Sequence, residues 1–321
     1  MNMVRKMSQI LAVPAMLLGL MSAQQAEATI APAPPQAAAV GFKTETFATA
    51  AFSRSNVDFG LTKGPGFQWY FFNFFGYAPR SNLATLNSGG SITVAALSNN
   101  YGNYLASATA LTSAPYYRGT AFGGGGYFEA TLAYNPAAVK LSTGWPAWWS
   151  MSLEHLAGLS TQQWPNQAKS YMHFAEPDFF EADTGSAGSY GGAVHDWYGL
   201  YGSASCPSYC NVTMPWTTVL RTLPAGTNVN QYHRYGLLWV RATATTPGSY
   251  TYYFDGVQVG KKTTYSLYNN QPPVPTTSTP WTFGVVDKQH LVLILSTGSS
   301  TPLNVQSVQV WQASTANNLK Y

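Results

Sequence analysis

The segment Tyr171-Met172-His173-Phe174-Ala175-Glu176-Pro177-Asp178-Phe179-Phe180-Glu181-Ala182-Asp183 sets four carboxylates within eight residues of an otherwise apolar stretch. Its aromatic and apolar content predicts a β-strand. On a regular strand residues two apart share a face, so Glu176 and Asp178 point the same way. Glu181, five residues beyond Glu176, would then point to the opposite face. One extra residue in a β-bulge restores it to the same face, and bulges are frequent beside active sites. No lysine or arginine lies between Lys169 and Arg221 to neutralise the cluster. Such self-repulsion costs stability and raises the pKa of at least one member. The arrangement suits glycoside hydrolysis, in which one carboxylate stays ionised to attack or stabilise the anomeric carbon. Its partner stays protonated to help the leaving oxygen depart. An aspartate between them can hydrogen-bond the attacking group and hold the two protonation states apart.

Outward from this segment the chain reads as strands. Ser91–Ala96, Gly126–Tyr134, Tyr235–Arg241, Ser249–Phe254, His290–Leu295 and Val305–Gln312 alternate or are rich in β-branched and aromatic residues. Gly, Pro or Asn clusters bound most of them. Asp255-Gly256 is a hairpin turn signal, because both residues tolerate positive φ. Leu153–Leu159 is the one short helical turn expected. Many strands and few helices predict a sandwich or jelly roll.

Of 321 residues only 28 are charged, against 16 Phe, 21 Tyr and 10 Trp. That balance excludes a disordered chain. A scattered net charge of +4 gives nucleic acid no footprint. Arg5 and Lys6, the apolar run Ile10–Met21 and Ala26-Glu27-Ala28 read as a signal peptide over residues 1–28. The run is too short to cross a bilayer, which takes about 20 residues. The expectation is an exported protein, extracellular or periplasmic, with no membrane attachment after cleavage, and a monomer. Residues 29–40, mostly Ala and Pro, read as an extended linker, and 41–321 as one large β domain. Cys206 and Cys210, the only cysteines, are expected to form a loop-stapling disulfide. There is no phosphate loop at Gly123–Gly126 and no Gly-x-Ser-x-Gly elbow.

Glu176-Pro177-Asp178-Phe179-Phe180-Glu181 resembles the Glu-x-Asp-x-x-Glu motif of glycoside hydrolase family 16, the laminarinase-like branch. Gly126-Tyr127-Phe128-Glu129-Ala130 is similar to the strand before the active site, and Trp145-Pro146-Ala147-Trp148-Trp149 to the family's Trp-Pro-Ala-x-Trp segment. Tyr232-His233-Arg234-Tyr235-Gly236 through Trp239, then Tyr253-Phe254-Asp255-Gly256-Val257, resembles the later strand pair. The likeness spans roughly Tyr117 to Gln312. It implies an all-β, concanavalin A-like β-jelly roll sandwich of two curved antiparallel sheets with a concave substrate cleft. It further implies retaining cleavage of a β-linked polysaccharide without metal or organic cofactor. Glu176 would be nucleophile, Glu181 general acid/base and Asp178 the assisting carboxylate. Transglycosylation at the same site, or polysaccharide binding without chemistry, are the alternatives.

Two positions depart from the family. Pro177 replaces a usual aliphatic residue and puts strand pairing in doubt, since proline cannot donate to a ladder. Thr131 replaces a frequent arginine, so any contact of that arginine is expected to be missing. Trp145 and Trp149 match cleft tryptophans that stack on sugar rings, and Trp148, of opposite parity, is expected in the core. His195 is placed as a sugar contact on the leaving-group side. His173, Glu154 and His155 are expected to be structural, and most of the aromatic run Trp69–Phe75 to pack in the core.

Overall fold

A computed structural model describes residues 32–72, 78–96, 102–158, 170–204, 210–214, 220–266, 280–298 and 301–321. Its described residues belong to a compact unit beginning at Pro32. Two large sheets face each other. The first runs in the order Val257–Tyr265, Gly248–Phe254, His233–Val240, Gly126–Ala133, Leu303–Gln312, Ile92–Val94, Ala84–Leu86, with Thr44–Thr49 beside Leu303–Gln312. The second runs Cys210–Met214, Ser189–Gly199, Met172–Glu181, Ala147–Ser152, Leu291–Thr297, Asn103–Ala106, Trp69–Phe71, Val57–Asp58, with Leu220–Thr222 on the edge of Ser189–Gly199. Pairing is antiparallel throughout except between Val57–Asp58 and Trp69–Phe71. This is the jelly-roll sandwich that the strand pattern predicts. The six predicted strands all form, and Leu153–Leu156 is a helical turn. Asp255 and Gly256 close their hairpin with φ of 50° and 82°, as the turn chemistry requires.

The space between the sheets is filled by aromatic side chains. Phe128 of the first sheet stacks on Phe179 of the second at 5.5 Å, and Trp148 meets Phe179 edge-on at 4.9 Å. Phe180 reaches Tyr235 of the first sheet at 4.5 Å. Two consecutive phenylalanines, both fully buried on the same side of one strand, cannot be accommodated by a regular alternation of faces. They show why the strand must carry an extra residue there.

Two expectations change on inspection. Residues 29–40 are not wholly an extended tether. Pro35–Ala38 forms one helical turn with Pro35 early in it, and Ala37 is completely buried. Alanine is the best helix former and proline is tolerated at the first position, so this composition serves a docked turn as well as a linker. Thr131 is also not without a cation nearby. Arg234 sits directly across the ladder from Thr131, with its guanidinium 3.9 Å from the buried Glu129.

Candidate active site

The carboxylate strand, Met172–Glu181, pairs on one side with Ser189–Gly199. Glu176 lies opposite His195, Pro177 opposite Val194 and Asp178 opposite Ala193. Glu181 then lies opposite Gly191. Three steps on the carboxylate strand thus match two on its partner, and the ladder with Ala147–Ser152 slips at the same place, between Trp148 and Trp149. This is a β-bulge at Phe179-Phe180. It turns both rings inward and leaves Glu176, Asp178 and Glu181 on the outer, concave face, where all three line one cavity of about 400 Å³. Trp145, Trp149 and Tyr104 line the same cavity.

Pro177 is accommodated by the geometry around it. The ladder toward Ala147–Ser152 ends at the pair Trp149–Asp178, just before the proline. The Ser150 hydroxyl then donates to the Pro177 carbonyl at 3.0 Å. Further along, the Gln289 side-chain amide stands in for the missing strand. Its oxygen accepts from the Ala175 N–H at 3.1 Å and its nitrogen donates to the His173 carbonyl at 2.8 Å. These side-chain bonds satisfy buried backbone groups that would otherwise be costly to leave unpaired.

Each acid has a specific neighbour. The Trp197 indole N–H donates to Glu176 Oε2 at 2.5 Å, and the Trp145 indole N–H donates to Glu181 Oε1 at 2.9 Å. His195 Nε2 lies 3.2 Å from Asp178 Oδ2. Burial dominates the titration of all of them. It pushes Glu176 up to about 8, with the Asp178 and Glu181 charges adding to the rise and His195 and Trp197 opposing it. Asp178, which is 2% exposed, is held well above the usual aspartate range by burial and by Glu181 and Asp183. Glu181 and Asp183 are also raised, again chiefly by burial. A cluster of this kind releases its protons as a unit, and it keeps at least one at neutral pH.

Trp145 and Trp149 both reach the cavity, as the sequence suggests, but not equally. Trp149 is 5% exposed, with its indole N–H donated to Ser296 Oγ at 2.9 Å and its ring edge-on to Tyr104. Trp145 is the more open of the two. Trp148 is fully buried in the core. His195 stands in the site against Asp178 rather than at a distance from the acids. His173 is buried against Asp196 at 2.5 Å, and Glu154 holds His290 at 2.6 Å. Both are placed structurally, while His155 stacks on Phe174 at 3.7 Å. Trp69, Tyr70 and Phe71 are buried strand residues, and Phe72 packs in a second apolar cluster. Phe74 and Phe75 lie outside the described residues. Cys210 is disulfide-bonded, and Cys206 lies outside the described residues. Among the described residues no three of His, Cys, Asp and Glu are grouped to hold a metal ion, and no helix is long and apolar enough to cross a membrane.

Sequence reading passes over several site residues. Trp197 shares the parity of His195, two residues away, and that parity is the signal that places it beside the acids. Tyr104 and Ser296 come from strands distant in sequence, and only the sheet order brings them to the cavity.

No family model matches the chain, and no characterised protein matches it by sequence. Solved structures do match. An endo-1,3-β-glucanase from Streptomyces sioyaensis superposes with a TM-score of 0.51 at 18% identity, covering 91% of this chain and all of that one. The chain has the fold of that glucanase. LamAcat from Zobellia galactanivorans gives a TM-score of 0.49 at 13% identity over 86% of this chain and all of its own. In this jelly roll the concave face carries the three acids, and the bulge is what keeps them together.

Proposed function

We propose that the protein is a retaining endo-glycosidase that hydrolyses a β-linked polysaccharide, with β-1,3- or mixed-linked glucan the favoured substrate. The observation that carries this reading is the bulged strand presenting Glu176, Asp178 and Glu181 together into a cavity flanked by Trp145 and Trp149. In the first step the Glu176 carboxylate attacks the anomeric carbon. The glycosidic C–O bond breaks as the Glu181 proton passes to the leaving oxygen, giving a glycosyl ester on Glu176. In the second step Glu181, now ionised, takes a proton from water, whose oxygen attacks the same carbon. The ester bond breaks and Glu176 is released as carboxylate. Asp178, between them and held by His195, helps keep charge and proton on different glutamates. Trp145 and Trp149 supply the apolar faces on which a sugar ring stacks. The exported destination rests on the leader-like residues 1–28.

The test is a reducing-end assay of the purified protein on laminarin, lichenan, agarose and carrageenan, with Glu176→Gln as blank, followed by NMR of the first anomer released. Hydrolysis by wild type alone, with the β-anomer formed first, supports the proposal. Full activity in Glu176→Gln removes the nucleophile assignment, and an inverted first product removes the retaining mechanism.

A further inference from the structure

The geometry points to Trp197 as the residue that positions Glu176 for attack, its indole N–H fixing Oε2 and drawing the negative charge of the acid pair onto that glutamate. This role rests on the glycosidase reading above. Trp197 lies on Ser189–Gly199 directly opposite Phe174, two residues before Glu176 on the neighbouring strand. Its N–H reaches Glu176 Oε2 at 2.5 Å, and a hydrogen bond to an ionised acceptor is stronger than one to a neutral group. The indole is braced from behind. Its plane lies within 17° of the Phe174 ring at 6.4 Å, and Phe174 lies within 7° of the His155 ring at 3.7 Å. His155 in turn sits on the helical turn Leu153–Leu156, and its own N–H donates to the capping Ser152 hydroxyl at 3.4 Å. A column of three rings therefore sets where the N–H points.

Chemistry demands such a bias. The acid cluster retains a proton at neutral pH, and attack requires that proton on Glu181 and the charge on Glu176. Burial and the Asp178 charge push Glu176 the wrong way. Trp145 offers Glu181 an equivalent donor at 2.9 Å, so each glutamate has one indole and loss of the Trp197 N–H alone would leave Glu181 the better place for the charge. Hydrogen bonding to an ionised group lowers its pKa, so the Trp197 bond favours the arrangement that can react.

Trp197→Phe keeps a ring against Phe174 and deletes the N–H. A hydrogen bond to a charged group is worth about 1.5–3 kcal/mol, so kcat is expected to fall roughly 10- to 100-fold with KM little changed. The acidic limb of kcat/KM, which reports the free enzyme's attacking group, should move up by about 1–2 pH units. The Glu176 carboxyl, followed by NMR in protein labelled with 13C-glutamate, should move up by the same amount without reference to activity. Melting curves check that the variant is folded. Loss of rate with an unmoved acidic limb and an unmoved Glu176 titration would reduce Trp197 to a packing residue. Wild-type hydrolysis with no titration change in Trp197→Phe overturns this inference and leaves the glycosidase reading standing. No wild-type hydrolysis but a shifted titration does the reverse, removing the reading while the charge-placing contact stands.

Discussion

Replacing Glu176 by glutamine is expected to stabilise the protein, and to do so increasingly as the pH rises. Glu176 carries a folded-state pKa near 8 against an ordinary 4.5. Between those two values the native protein binds a proton that the unfolded chain has released, so stability falls as pH increases across that window. Glutamine removes this titration yet still offers an oxygen to the Trp197 N–H. The full shift of about 3.5 units corresponds to a ceiling of roughly 5 kcal/mol. Asp178 and Glu181 repel the same charge and the cluster titrates as a unit, which reduces the expected gain to about 1–3 kcal/mol at pH 8.5 and close to nothing at pH 5. In a domain of this size that is a melting-temperature gain of roughly 2–8 °C. Thermal unfolding of both proteins by circular dichroism, at half-unit steps from pH 5 to 8.5, measures it. A difference in melting temperature that stays constant over that range would refute the claim that the half-buried Glu176 carries a raised pKa.

Two further outcomes follow from the packing. Phe179→Ala removes a fully buried ring that touches Phe128 and Trp148, and should cost about 3–5 kcal/mol in denaturant unfolding; a loss below about 1 kcal/mol would mean that the bulge is not anchored by that ring. Gly298→Ala would place a Cβ 2.3 Å from the Gly144 Cα, where two rim segments of the cavity cross, so hydrolysis should fall by more than the change in melting temperature explains, and wild-type turnover would show that the crossing is not needed.

Much of the architecture was legible because strands in this chain announce themselves by composition and turns by glycine, asparagine and proline. The bulge was legible for a simpler reason: only an extra residue puts Glu176, Asp178 and Glu181 on one face. What the sequence hid depends on neighbours that are distant along the chain. Gln289 substitutes its amide for a strand beside His173 and Ala175, and no local pattern marks it. Arg234 comes within 3.9 Å of the buried Glu129 as the ladder partner of Thr131, a fact of register rather than of motif. Ala37 is buried although its segment has the composition of a tether, since alanine and proline are equally at home in a docked turn. Trp197 was within reach, for parity with His195 places it, but its hydrogen bond to Glu176 needs the adjacent strand's register.

The bulge also gives the core a ring that a regular strand could not supply. Counted along the strand, Phe179-Phe180 is a phase shift of one residue. Delete either phenylalanine and the strand becomes regular, with the three acids at alternate positions and still on one face. The second glutamate would keep its place in the cleft and Ala182 its place between the sheets, but only one ring would point inward where two do now. A single-codon deletion would therefore keep a three-acid cleft and take its toll on the core, which would lose one of two fully buried rings. The extra residue thus serves the packing between the sheets as much as the cleft above them.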